Sequence, residues 1–287
     1  MDKMPQIEEF LKAVKNTPTK YDNLIHELHK GEHFSKMYAA YRPQYPQEIY
    51  DKIMAYHSEN PKNERQLAVD VGCGTGQGTL PLTKYFKKVI GTDVSEDQIN
   101  NMPKNVPNLE SHVSFAEDLK FLKDGSVDLL TIASALDWVD QPKFLKEVTR
   151  VLKPGGTFAT YTFNGDIIDN VEWQTYFYEL TKTLFINYVT SKVCVVYDKY
   201  KSLDFPFKEM KRYEGIKYTK EMTVDEFMGY VSSFHCVNMY ILDNQDSDIL
   251  DEMKQKLIST HKTQTDVDQP IKVKANSDIV LILGTNN

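Results

Sequence analysis

Two rhythms of apolar residues alternate along this chain. Between residues 66 and 163, short and nearly continuous apolar runs occur at Leu67-Ala-Val-Asp-Val71, Lys88-Val-Ile-Gly-Thr-Asp93, Ser126–Ala133 and Thr157–Phe163. Runs of this kind predict strands buried on both faces, as in a parallel sheet. Val113-Ser-Phe-Ala-Glu-Asp-Leu119 reads as a further strand closing on an acidic turn.

Helical spacing fills the gaps. Ile49, Ile53 and Met54 follow Pro46; Ser95, with Glu96 and Asp97 behind it, caps a helix ending before Pro103; Phe144 to Leu152 is amphipathic and stops at Lys153-Pro-Gly-Gly156. Thr79-Leu-Pro-Leu-Thr-Lys-Tyr-Phe86 reads as a helix too. Upstream, Ile7, Phe10, Leu11 and Val14, then Leu24, Ile25 and Leu28, predict two short helices. Downstream of Asn164 the alternation breaks and aromatics crowd in, among them Trp173, Tyr176, Phe177, Tyr200 and Phe234. Thr223 and Glu226 form a capping box for a helix reaching His235; a helix from Ile249 to about Thr260 and a two-stranded hairpin over Ile271–Thr285 close the pattern. The pattern divides into N-terminal helices and a lid over 1–46, an α/β core over 47–163, an insertion over 164–243, and a C-terminal helix and hairpin over 244–287 that complete the core.

The chemistry concentrates at the end of the first strand, in Val69-Asp-Val-Gly-Cys-Gly-Thr-Gly-Gln-Gly78. Glycines at 72, 74 and 76 free the backbone for positive φ and let a ligand lie against the main chain. A P-loop needs Gly-Lys-Ser/Thr after four spacers, and a dinucleotide fingerprint needs glycine at 77, where Gln77 stands, so both are disfavoured. Asp93 ends the next strand 21 residues after Gly72 (93 − 72), close to the ~20-residue spacing at which a carboxylate meets a ribose diol.

This loop resembles motif I of the class I S-adenosylmethionine (SAM) methyltransferases, and the chain as a whole resembles the type 11, trans-aconitate methyltransferase-like subgroup. The resemblance also rests on Phe34-Ser-Lys-Met-Tyr-Ala-Ala-Tyr-Arg-Pro-Gln-Tyr-Pro46 and on Arg150-Val-Leu-Lys-Pro-Gly-Gly156. It implies an α/β fold: a doubly wound, seven-stranded Rossmann-like sheet of order 3-2-1-4-5-7-6 with an inserted substrate cap. It further implies SAM as cofactor, with S-adenosylhomocysteine (SAH) as product. The implied cofactor ligands are Tyr38, Arg42, Asp70, Gly72, Cys73, Gly74, Gly76, Asp93, Val94, Ala116, Glu117, Asp118, Ala133 and Ser134. Asp93 takes the ribose, Ala116–Asp118 the adenine edge, Ala133 and Ser134 the amino group, and Arg42 the methionine carboxylate. Trp138, Tyr176 and His235 are expected at the acceptor. His235 and Asp137, the latter standing where relatives commonly carry histidine, are the catalytic base candidates.

Charge narrows the partners. A net charge of −7 with only four arginines, at 42, 65, 150 and 212, offers no basic cluster for nucleic acid. Three isolated cysteines lack metal-ligand spacing, which predicts no metal site and suits a reducing, cytoplasmic setting. No run approaches the ~20 apolar residues of a membrane span. The expected function is methyl transfer to a small-molecule acceptor, an oxygen of an apolar carboxylic acid or phenol. The alternative from another class is a SAM-binding regulatory or partner protein without transferase activity. Nothing in the sequence indicates the oligomeric state.

Overall fold

The apolar runs fold as the strands they predict. In a computed structural model describing residues 5–23, 31–261 and 270–287, the strands are β1 Leu67–Val71, β2 Lys88–Asp93, β3 Leu109–Val113, β4 Val127–Ala133, β5 Leu152–Ile168, β6 Lys208–Thr223 and β7 Lys272–Thr285. They form one sheet of order β3-β2-β1-β4-β5-β7-β6. The ladders β3/β2, β2/β1, β1/β4 and β4/β5 are parallel. β7 runs the other way beside β5: the Gly155 amide donates to the Asn286 carbonyl at 3.0 Å, and the Asp169 amide to the Lys274 carbonyl at 3.0 Å.

Three local expectations change. The hairpin expected over 271–285 is a single strand. Its buried–exposed alternation continues straight through Asn276-Ser277-Asp278, because these polar residues find partners across the ladder rather than turning. The Thr219 hydroxyl donates to Asn276 Oδ1 at 2.8 Å, and Lys217 pairs with Asp278. The strand β6 that lies beside it comes from the stretch expected in the insertion. The strand expected at Val113–Leu119 instead ends at Val113, and tight turns follow, with Asp118 N–H on the Phe115 carbonyl and Leu122 N–H on the Leu119 carbonyl. β3 is an edge strand carrying Glu110, Ser111 and His112, so it has little apolar pattern to read. After the glycine loop, only a 3-10 turn forms at Leu80–Lys84, around Pro81.

The Lys-Pro-Gly-Gly segment is built into β5. Val127 pairs with Leu152 and Leu129 with Thr157, so Lys153–Gly156 bulge out between the two pairs.

The chain divides into two compact units. One comprises residues 1–42, 165–197 and 219–277; the other comprises 43–164, 198–218 and 278–287. The first is helical at its centre, where Phe10, Val14, Trp173, Phe185, Phe227, Val237 and Leu257 are buried together. The Trp173 indole stacks on Phe177 at 5.3 Å and donates to the Met253 carbonyl. Most rings of the expected insertion are therefore core. Its helix Val224–Ser232 begins on the predicted capping box, with Thr223 and Glu226 bonded reciprocally. The expected helix at Leu24, Ile25 and Leu28 lies outside the described residues. In the second unit, Ile49, Ile53, Leu82, Val89, Leu129, Ala159, Ile279 and Leu281 form the core.

Candidate functional site

At the carboxyl end of β1 the chain turns sharply through Gly72, Gly74 and Gly76, at φ of 64°, 55° and 97°. Glycine at 72 is required twice over: the backbone is left-handed, and a Cβ there would lie 2.6 Å from the Ala135 Cβ. Cys73, buried inside the loop, donates its amide to the Thr92 carbonyl at 2.9 Å, and burial pushes its thiol well up. Gln77 folds back onto Thr75, its Nε2 donating to Oγ1 at 2.8 Å.

Two carboxylates brace this turn. Asp93, half-buried at the end of β2, accepts the Gly74 amide on Oδ2 and the Ser95 amide on Oδ1, both at 2.9 Å. Burial raises its carboxyl above the ordinary range against the pull of these N–H groups. An ionised carboxylate offers about four lone-pair sites, so two remain for hydroxyl donors. Val94 follows in the bend that leads to Ser95, which caps the helix Glu96–Asn100.

Asp70 is fully buried inside β1. Its Oδ1 accepts the Thr131 hydroxyl and its Oδ2 the Thr79 hydroxyl, each at 2.6 Å. Burial pushes it up to about 6; the two hydroxyls pull it down and Asp93 adds to the rise. The carboxyl therefore ties β1, β4 and the exit of the glycine loop together.

The exit of β4 stands beside the loop. Ala133 ends the strand and Ser134 takes φ 49°, a left-handed conformation unusual for a residue with a Cβ. Ser134 is pinned by its amide on the Tyr161 carbonyl at 2.8 Å and by the Tyr45 hydroxyl, which donates to its Oγ at 2.9 Å. Asp137, 4% exposed, accepts from the fully buried Tyr200 hydroxyl at 3.2 Å. Trp138 is half-buried in the same turn.

Past β3, Ala116 is buried and Glu117 Oε1 accepts the Asp140 amide at 2.6 Å, joining this loop to the one after β4. Asp118 turns outward to Lys120 at 2.9 Å. Thr79, Thr131, Tyr45 and Tyr200 were not singled out from the sequence as site residues. Tyr45 had a signal in Arg-Pro-Gln-Tyr-Pro; Tyr200 had none, its place being set by consecutive left-handed residues at Lys199 and Tyr200.

Tyr38, Arg42, Tyr176 and His235 belong to the other unit. Tyr176 is half-buried on the helix Val171–Thr183 and packs into that unit's core. His235 opens the helix His235–Asp243. The Arg42 guanidinium donates to the Ser233 carbonyl at 2.6 Å and lies 4.9 Å from the Tyr38 ring.

Comparison with known proteins gives this geometry its setting. Residues 69–160 match the methyltransferase-domain family. A methyltransferase candidate of Dictyostelium discoideum is 34% identical over 272 residues, covering 93% of this chain and 96% of that protein. The chain belongs to the class I SAM-dependent methyltransferases. A SAM-dependent methyltransferase candidate of Saccharomyces cerevisiae is 34% identical over 135 residues, 45% of each protein. A solved structure of a type II methyltransferase candidate from Anaeromyxobacter dehalogenans superposes with a TM-score of 0.68 at 27% identity, over 86% of this chain and 98% of the other. The cofactor of this methyltransferase is SAM, and its sheet order is the one expected for the class. No helix among the described residues is long and apolar enough to cross a membrane, and no cluster of three or more metal-ligating side chains occurs among them.

Proposed function

We propose that this methyltransferase acts on a small apolar acceptor, methylating an oxygen of a carboxylic acid or a phenol in the cytoplasm. The observation that carries the acceptor class is the state of its cations. Arg150 is bound by Glu147 and Asp124, Arg212 by Glu214, and Arg65 sits exposed on the Ser58 hydroxyl. That leaves no arginine array for a polyanion such as nucleic acid or a tricarboxylate. Cysteines 73, 194 and 236 are all free thiols, consistent with the reducing compartment.

The residues present fit the cofactor. Gly72, Cys73, Gly74 and Gly76 present bare main chain at the end of β1, and Asp93 keeps lone pairs for the ribose diol. Val94, Ala116 and Glu117 line the adenine end; Asp118, turned to Lys120, contributes its backbone there. Ala133 and Ser134 offer carbonyls to the amino group, and Asp70 acts by bracing the loop. When bound, SAM supplies a methyl group already activated on a sulfonium sulfur. The protein's task is then to align an acceptor oxygen with that group, for which near-attack separations are about 3–3.5 Å. A carboxylate acceptor needs no base. A phenol needs one, and Asp137 and His235 are the candidates, with Trp138 and Tyr176 offering apolar faces.

The test is a transfer assay: purified protein, methyl-labelled SAM, and a panel of apolar carboxylic acids and phenols, with label followed into extractable ester or ether. Transfer to a member of the panel is expected. SAH binding with no transfer to any member would favour a binding protein without transferase activity.

A further inference from the structure

Ser134 holds a conformation that is unfavourable for a serine and free for a glycine. Its φ of 49° lies in the left-handed region, yet the residue carries a Cβ and is only half-buried. Such a conformation persists where its surroundings over-determine it, and here two contacts do so. The Ser134 amide donates to the Tyr161 carbonyl at 2.8 Å, one residue beyond the pairing of Ala133 with Tyr161 in the β4/β5 ladder. The Tyr45 hydroxyl donates to Ser134 Oγ at 2.9 Å. A glycine would take this turn unaided, but it would leave no side chain to be held from outside the strand.

The turn matters because of what it places. Past Ser134 the chain doubles back until the Ala135 Cβ stands 2.6 Å from where a Cβ on Gly72 would be, which lays the exit of β4 against the glycine loop. The Trp138 amide then closes on the Ala135 carbonyl at 3.0 Å. An extended or right-handed Ser134 would swing its own carbonyl, and Ala135 with it, away from that loop.

Tyr45 is placed to hold the turn. Pro46 restricts the backbone of the residue before it and is itself the extended N-cap, at φ −64° and ψ 147°, of the helix Gln47–His57. The Tyr45 ring stacks on Phe163 of β5 at 5.0 Å with 16° between planes, and meets the fully buried Tyr161 edge-on at 4.7 Å. Backbone and ring are both fixed, so the hydroxyl has little freedom to leave Ser134.

We infer that Tyr45 is a positioning residue for the cofactor: its hydroxyl keeps Ser134 left-handed and thereby aims the carbonyls at the exit of β4 toward the cofactor's amino group. This rests on the reading above, in which Ala133 and Ser134 offer those carbonyls. Every residue involved belongs to one compact unit.

The full chain is titrated by calorimetry with SAH and with deamino-SAH, in which hydrogen replaces the α-amino group and nothing else changes. Wild type is expected to bind SAH at least about tenfold tighter, the margin of a charge-assisted contact. Tyr45→Phe keeps the ring and removes the hydroxyl; it should cut that preference below about threefold while deamino-SAH affinity stays within about twofold. Ser134→Ala breaks the same bond from its other end and decides the case if Tyr45→Phe does not fold; both changes together should lose no more than either alone. Combining Tyr45→Phe with Ser134→Gly should regain part of the preference, because glycine turns left-handed without a tether. Tyr56→Phe, which removes a hydroxyl from the Glu209 carbonyl at the far end of the helix Gln47–His57, controls for lost stability and should leave the preference unchanged.

A preference that survives Tyr45→Phe, or losses that add when Ser134→Ala is combined with it, overturns the positioning role. So does a preference that Ser134→Gly does not regain, for the phenol would then touch the ligand itself. Equal binding of both compounds by wild type would instead refute the amino-group reading of Ala133 and Ser134, and this inference with it.

Discussion

Replacing Asp70 by asparagine probes the brace beneath the glycine loop. The side chain is fully buried, takes hydroxyls on both oxygens, and has its carboxyl pushed up to about 6 from an ordinary value of 3.8. Folding therefore holds a proton that the unfolded chain releases. For a carboxyl shifted upward, the stability contribution is fully present below the unfolded value and is lost as pH rises through the folded one. The gap of about 2 units corresponds to about 3 kcal/mol lost in all, of which about 1 kcal/mol falls between about pH 5 and pH 7.

Asparagine is nearly isosteric, and its amide can serve one threonine as acceptor and the other as donor. The variant should therefore lack this pH-dependent loss and gain on the wild type as pH rises. Urea unfolding of both proteins at about pH 5, 6 and 7 measures the difference, and taking that difference cancels most other titrating groups. A gap between the two proteins that stays constant within about 0.5 kcal/mol across this range would refute the reasoning, for it would mean that Asp70 titrates alike folded and unfolded.

Other expectations follow from the same geometry. Asp93→Ala removes the acceptor of two loop amides and the proposed ribose ligand, so calorimetry should find SAH binding weakened by about 100-fold; a change under about threefold would remove Asp93 from the site. Gly72→Ala sets a Cβ 2.6 Å from that of Ala135 at φ 64°, costing about 1–3 kcal/mol, visible as a melting temperature lower by a few degrees and a weaker response to SAH. Tyr200→Phe takes one hydroxyl from the buried Asp137 and should cost about 1 kcal/mol in urea unfolding, with SAH affinity unchanged; a stability equal to wild type would show that this contact contributes nothing net.

What could be read along the chain was the part written in short-range code. The glycines at 72, 74 and 76 announce their left-handed turn because few other residues tolerate it, and Asp93 lies one βαβ step on, where sheet geometry sets the spacing. The capping box at Thr223 and Glu226 is likewise a three-residue signal, and it forms as written. Asp70 is legible as an acid in a buried strand, but its partners are not. Thr131 lies 61 residues away and meets it because the parallel ladder puts β4 residue 131 opposite β1 residue 70.

The same limit explains the misread tail: Asn276-Ser277-Asp278 looks like a turn until Thr219 and Lys217 of β6 satisfy its polar groups and keep it extended. Tyr200 reaches Asp137 across 63 residues and Arg42 reaches Ser233 across 191. Local conformation is decided by each residue's own sterics and nearest hydrogen bonds, so the sequence by itself determined the turn, the caps and the alternation of strand and helix. Which buried donor meets which acceptor depends on strand register and chain crossing over long separations, and only the tertiary structure decided that.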